Sequence, residues 1–236
     1  MNLVLLEPDD FVSDSHVVIK GRRFIHLRKV NRVKQADTLV CGLLNGRMGK
    51  GVVSAISSTR IEMQVKLDME PPKPLPLNLV LALPRPKMLN RIIENITTLG
   101  VKKIFLINSW RVEKSFWQSP HLDDECLKKH MILGLEQSRD TILPRIYKKR
   151  FFSDFIKKDL HRISKDTLRI TAHPRAAKLC PSCVRAPVTL VIGPEGGFIE
   201  REIQGLENTG FCTYHIGSRI LRVETAVNFL ISRLYA

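Results

Sequence analysis

Hydrophobic and polar positions follow two different periods along the 236-residue chain. Through the first 70 residues the apolar runs are short and rich in β-branched residues, and they predict strands over residues 3–6, 38–44, 51–56 and 61–67. Asn45-Gly46, between two of these runs, is a strong hairpin signal because both residues tolerate the positive φ such a turn requires. A short helix over residues 26–33 interrupts the strands. The expectation is a small, mainly β domain over residues 1–70, closed as a compact barrel. Residues 71–76 then hold four prolines in six positions, which removes backbone donors and predicts an extended interdomain linker.

Beyond the linker the period changes. Residues 77–83 read as a buried strand, and Leu89, Ile92, Ile93, Ile96 and Leu99 recur at the spacing of one helix face, with Gly100 set to cap it. Strands are expected over 101–108, 168–172, 188–192 and 211–216, and helices over 122–138, 153–161 and 200–208. A final helix carries Val223, Val227, Leu230, Ile231 and Leu234 on one face. Alternating strands and helices over 77–236 argue for an open α/β sheet.

Composition adds a partner to this picture rather than a fold. Hydrophobic residues are 44% and charged residues 26%, ordinary values that exclude collagen-like, low-complexity and wholly disordered chains. Lys and Arg total 38 against 23 Asp and Glu, a formal +15, which favours a phosphate polymer, with an anionic membrane surface as rival. The longest apolar stretches, such as 188–192, are four or five residues, far short of the ~20 that span a bilayer. The N-terminal MNLVLLEPDD lacks the basic start of a secretory signal, and five scattered cysteines read as reduced thiols, so a cytoplasmic protein is expected. Between Ser15 and Ala36 lie seven basic residues and no acid, and Arg22, Arg23, Arg28, Lys29 and Arg32 are the candidate RNA contacts. A solvated face is the plainer account of such a run. Lys148, Lys149 and Arg150 extend the basic surface.

Two segments carry chemistry. In Ile192-Gly-Pro-Glu-Gly-Gly-Phe198 a buried strand runs into a glycine-rich turn, where backbone groups can approach a ligand closely at a strand's C-terminal end. An ordinary tight turn is the rival account; the segment has neither G-x-G-x-x-G nor a P-loop lysine, which disfavours a nucleotide-phosphate cradle. About 24 residues later Ile216-Gly-Ser-Arg-Ile-Leu-Arg-Val-Glu-Thr-Ala226 repeats the arrangement. There Arg219 and Arg222 crowd a helix start, against the helix dipole, as if answering to an anion; a surface pair between Arg222 and Glu224 is the simpler alternative.

In this order and spacing the two segments resemble the signature of the RsmE family, uridine-N3 methyltransferases of small-subunit (16S) ribosomal RNA. The resemblance covers the whole chain: His26-Leu-Arg-Lys-Val30, Leu99-Gly-Val101 and Glu136-Gln-Ser138 are similar to further family motifs, while Thr98 and Asp140 depart from them. It implies an α/β fold, a C-terminal SPOUT trefoil knot preceded by a PUA-like β-barrel domain, with S-adenosylmethionine (SAM) as cofactor. It implies a homodimer acting on 16S ribosomal RNA or the small ribosomal subunit, and no metal. The cofactor site then comprises Ile192, Gly193, Pro194, Gly196 and Gly197 with Ile216, Gly217, Ser218, Ile220, Leu221, Thr225 and His173. Arg219, Arg222, Glu224 and Glu195 are the catalytic candidates. A SPOUT enzyme with another RNA target, or a non-catalytic ribosome-assembly protein, are the alternatives. Cys180-Pro-Ser-Cys183 lacks the second pair a structural zinc needs, and Trp110 and Trp117 are read as packing residues.

Overall fold

The structure is a computed structural model that describes residues 1–235. It resolves into two compact units, Met1–Lys73 with Met131–Leu143, and Pro74–His130 with Pro144–Ala236.

The first unit is one six-stranded sheet. Strands β1 (Val4–Leu6), β2 (Phe11–Ser13), β3 (His16–Ile19), β4 (Thr38–Leu43), β5 (Met48–Ile56) and β6 (Ile61–Met69) lie in the order β1-β4-β5-β6-β3-β2. β1 runs parallel to β4 and the other pairs are antiparallel. Period-2 alternation puts Val17, Ile19, Val53, Ile61 and Met63 into one buried cluster with Leu27 and Val33. Asn45 takes φ +59 in the turn between β4 and β5, as its pairing with glycine predicts. Helix α1 (Gly21–Lys29) begins earlier than expected and also ends earlier. Its end follows from Arg32, which turns at φ +53 and returns Val33 to the core, where its N–H donates to the Leu27 carbonyl at 3.1 Å. β2 and β3 were not expected; the first is a three-residue edge strand with two exposed positions, too short to show a period.

A second departure concerns residues 131–143, which the sequence pattern assigns to the C-terminal part. They belong to the first unit. Leu135, on helix α3 (Asp124–Ser138), packs with Leu3, Leu5 and Met48, and the N–H groups of Asn2 and Leu3 both donate to the Glu136 carbonyl at 3.0 Å. Hydrophobic period locates a helix but says nothing of which sheet it joins.

The second unit is a six-stranded, wholly parallel sheet. β7 (Leu77–Ala82), β8 (Lys103–Ile107), β9 (Arg145–Lys149), β10 (Leu168–Ala172), β11 (Val188–Ile192) and β12 (Cys212–Tyr214) lie in the order β12-β10-β11-β7-β8-β9. β7 and β11 are central, which is why they read as apolar runs rather than alternating ones, broken only by Asn78 and Thr189, which hydrogen-bond each other at 3.3 Å. β9 was not expected because, as an edge strand of sequence RIYKK, it carries little apolar signal. Helices α2 (Pro86–Thr98) and α7 (Val223–Tyr235) pack on each other, and of the predicted face α2 buries Leu89, Ile92, Ile93 and Ile96, whereas Leu99 caps the helix and is exposed. The helix expected over 153–161 is broken into α4 (Phe152–Asp154), a π-helical turn Phe155–Leu160 and α5 (His161–Ile163). Helix α6 (Glu200–Glu207) follows the glycine-rich turn. The chain leaves β7 toward β8 and β9 on one side and returns to β11, β10 and β12 on the other. The strand order therefore reverses beside β7, where open α/β sheets bind their ligands, beyond the C-terminal strand ends.

Candidate active site

Three loops leave the C-terminal ends of the neighbouring strands β10, β11 and β12, and they carry the expected cofactor residues except Ile192, which ends β11, and Thr225, which lies in the first turn of α7. His173 follows β10 directly; its N–H donates to the Tyr214 carbonyl at 2.9 Å and so extends the ladder to β12. Ile192 ends β11, buried, and Gly193 opens the next loop. A side chain at Gly193 would meet the Phe198 ring at 3.1 Å, so glycine is what lets the chain fold back on itself here. The turn closes through the Gly197 N–H to the Pro194 carbonyl, 2.8 Å. From β12 the chain passes through His215 and Ile216 to Gly217, whose N–H donates to His215 Nδ1 at 3.1 Å. Gly217 holds φ +130, a conformation that L side chains rarely adopt, with open space where a Cβ would lie.

The arginines of the third loop face solvent. Arg219 and Arg222 are exposed and Ile220 is 82% exposed. Arg222 stands at the start of α7, its carbonyl accepting from the Thr225 and Ala226 N–H groups at 3.0 and 2.8 Å. Among the described residues neither arginine forms an ion pair, so the simple Arg222–Glu224 surface pair is not what the structure contains. Glu224 instead occupies the first turn of α7, where a carboxylate complements the helix dipole. Glu195 accepts from the Arg85 N–H at 3.0 Å and so ties the β11 loop to the segment after β7, at the reversal of strand order.

Two residues missed in the sequence brace the glycine-rich turn. Glu202, buried on α6, accepts from the Ile199 N–H at 3.0 Å, the Trp110 N–H at 2.8 Å and Ser109 Oγ at 3.2 Å. Its carboxylate thus joins the loop after β8 to the start of α6, which gives this buried charge the partners it needs. Arg111 donates to the Gly196 carbonyl. No local pattern marks either: an acid in a helix's first turn and an arginine in a loop are ordinary, and only the fold makes them neighbours. Trp110 corrects a sequence expectation, because it is 79% exposed and does not pack. Trp117 donates from Nε1 to Asn108 Oδ1 at 2.9 Å.

The basic run of the first unit divides on inspection. Arg23 is 16% exposed and its guanidinium is spent on Asp10, at 2.6 and 2.7 Å, and on the Leu5 carbonyl at 2.7 Å. It is a structural arginine and not available to a phosphate, contrary to expectation. Arg22 makes a two-pronged contact with the buried Glu136 at 2.9 and 2.6 Å, which leaves it half-exposed. Arg28, Lys29 and Arg32 are exposed. Burial, and then the N-terminal ammonium 3.0 Å from its Nε2, holds the His26 imidazole below its usual pKa. The departures Thr98 and Asp140 make local hydrogen bonds. Thr98 Oγ1 donates to the Glu94 carbonyl at 2.9 Å, and the buried Asp140 accepts from the Ile142 N–H at 2.9 Å.

Cys180 is buried and Cys183 exposed, and burial pushes the Cys180 thiol up to about 11 and that of Cys41 to about 12. No group of three or more metal-ligating side chains occurs among the described residues. Nor is any helix among them long and apolar enough to cross a membrane.

The comparisons with known proteins agree with this geometry. The family described as RNA methyltransferase domain matches residues 71–235. The "Ribosomal RNA small subunit methyltransferase E" of Treponema pallidum is 30% identical over 232 residues, covering 96% of this chain and 87% of the relative. Its namesake 1 in Borreliella burgdorferi is 26% identical, covering 96% and 94%. Among solved structures, the small subunit methyltransferase E of Neisseria gonorrhoeae bound to S-adenosyl methionine aligns with a TM-score of 0.71 at 22% identity, over 98% of this chain and 96% of that one. A Legionella pneumophila methyltransferase in complex with SAM aligns at 0.74 and 20%, over 98% and 95%. Fold, loops and family match define the class, an RNA methyltransferase. Within it, the chain belongs to the ribosomal RNA small subunit methyltransferase E (RsmE) family.

Proposed function

We propose that this protein methylates N3 of a uridine in 16S ribosomal RNA, using SAM. The carrying observation is the convergence of His173, Gly193–Gly197 and Ile216–Leu221 at the ends of three adjacent strands. A bound SAM supplies an electrophilic methyl group on a sulfonium. The residues present fit such a group: a Cβ at Gly197 or Gly217 would face open space, so backbone there is accessible to a ligand lying against it. Ile192, Pro194, Gly196, Ile216, Ser218, Ile220, Leu221 and Thr225 complete the cradle, and the fold is a SPOUT trefoil knot behind a PUA-like barrel.

The chain's own work is alignment and proton removal. The uridine N3–H would have to be lost for N3 to accept the methyl group that a bound SAM would supply, and the chain's residues would align the two reactants and take the proton. Arg219 and Arg222, unpaired and exposed, hold the nucleotide's phosphate or carbonyl oxygens. Glu224 or Glu195 accepts the proton or orients an arginine; Glu195, already accepting from the Arg85 amide, suits orientation better. Exposed Ile220 and Phe229 support a homodimer around α7, and a cytoplasmic location follows from a ribosomal substrate. Nucleoside mass spectrometry of 16S RNA from cells with and without the gene is the test: 3-methyluridine is expected to disappear with the gene, and its persistence would remove the proposed product.

The exposed cations Arg28, Lys29 and Arg32 grip the RNA backbone in the same reading. Replacing all three by Ala is expected to lower the log–log salt slope of RNA binding by about 2, from about 0.7 per phosphate contact on a single strand. An unchanged slope would take these residues out of the interface.

A further inference from the structure

The sheet edge beyond β8 and β9 carries aromatic surface that core packing does not explain. Trp110 is 79% and Phe151 74% exposed, unusual for the largest apolar side chains. Both are held at their backbones rather than loose. The Trp110 N–H is fixed on the buried Glu202 carboxylate, and the Phe151 carbonyl accepts from the Phe155 N–H at 3.0 Å. The Asn108 N–H donates to the Lys149 carbonyl at 3.1 Å, which continues the β8–β9 ladder past the strands and sends both aromatics off the same edge. Next to Phe151 in the chain, the Arg150 guanidinium lies 5.6 Å over the Trp117 ring, and Trp117 is anchored to Asn108. A cavity of about 400 Å³ opens here, lined by Asn108, Arg150, Phe151, Phe152, Ser153 and Asp154.

This edge is continuous with the glycine-rich turn. The Phe152 ring is 6.1 Å from that of Phe198, and Arg111 reaches the Gly196 carbonyl. Its charge is cationic. Arg111, Lys114 and Arg150 are exposed, while Asp154 is paired with Lys158 at 3.0 Å, leaving Glu113 and, in the adjoining turn, Glu195 as opposing acids. Flat rings interleaved with guanidinium groups are the chemistry of a single-stranded nucleic acid site, in which every base offers a face to stack on and every phosphate a charge to meet.

We propose that Trp110, Phe151 and the Arg150–Trp117 pair form a stacking platform for the single-stranded RNA that flanks the methylated nucleotide. This rests on the reading of the adjacent loops as the methylation site. The single strand is preferred to a duplex because paired bases keep their faces hidden, and to a second copy of the chain because cations are interleaved with the rings.

The test is binding of a fluorescein-labelled 12-nucleotide single-stranded RNA of mixed sequence, and of the duplex it forms with its complement, at fixed salt. Trp110→Ala and Phe151→Ala are each expected to weaken single-strand binding roughly tenfold and to leave duplex binding within about twofold. Trp110→Phe keeps a ring and is expected to retain most of the affinity, and Arg150→Gln to lose part of it. SAM binding by calorimetry stays unchanged in all four, so absence of SAM binding in the unaltered protein would sink the methyltransferase reading separately. Unchanged single-strand affinity in both Ala variants would overturn the platform. So would a switch of oligomeric state in sedimentation with RNA affinity intact, which would make the edge a protein interface.

Discussion

Gly217→Val is expected to abolish methyl transfer and weaken SAM binding roughly 10- to 100-fold, the effect of about 1–3 kcal/mol of backbone strain. The residue sits at φ +130, where a β-branched side chain is strongly disfavoured. Nothing lies within 4 Å of the position its Cβ would take, so the penalty comes from backbone conformation and not from collision. The chain has a cheap escape, because residues 216–222 are largely exposed and outside any helix or strand. It relaxes locally and moves the proposed cofactor cradle, while the buried sheet behind it is untouched. The signature is therefore lost binding with a nearly unchanged thermal midpoint. Calorimetry with SAM beside a thermal unfolding scan reads both; normal binding would take the loop out of the cofactor site.

Arg23→Ala should destabilise the first unit by about 3 kcal/mol, the lower end for breaking a buried pair. The substitution leaves the Asp10 carboxylate buried, with the Glu7 N–H at 2.7 Å as its remaining hydrogen-bond donor among those the structure gives it. It also removes the donor to the Leu5 carbonyl, inside β1. Arg28→Ala, five residues along the same helix but exposed, should change stability by less than about 0.5 kcal/mol. Urea unfolding of both variants, followed by circular dichroism, separates a structural arginine from a surface one. Equal midpoints would mean that Arg23 is as replaceable as its neighbours and would restore it to the candidate RNA contacts.

Much of the second unit was legible because its signals are long and local. The face Leu89, Ile92, Ile93 and Ile96 marks α2, and the runs at 168–172 and 188–192 coincide with β10 and β11, the second of them buried at every position as a central parallel strand is. The failures share a cause in short or exposed elements. β2 and β9 are brief or polar edge strands whose stability comes from pairing with a neighbour rather than from their own side chains, and β3, though internal to its sheet, is only four residues long. Helix α1 was mislocated because its basic surface residues carry the resemblance while Phe24 and Leu27 carry the packing.

The candidate site divides along the same line. The glycine-rich turn and the Ile216–Ala226 segment are continuous in the chain, so their residue types could be read directly. Glu202 and Arg111 could not, since what makes them matter is a carboxylate meeting the backbone 92 residues away and a guanidinium meeting a carbonyl 85 away. The same is true of Arg22 and Arg23, which look alike in a run of cations until burial assigns one wholly to Asp10 and the other partly to Glu136. By itself the sequence determined the two-period organisation, the α/β class, the two loops and the excess of positive charge, all properties of residue type and spacing. Tertiary structure decided that residues 131–143 join the N-terminal sheet, which arginines of the basic run stay exposed, and that Trp110 faces water. Each of these depends on burial and long-range pairing, which no local pattern encodes.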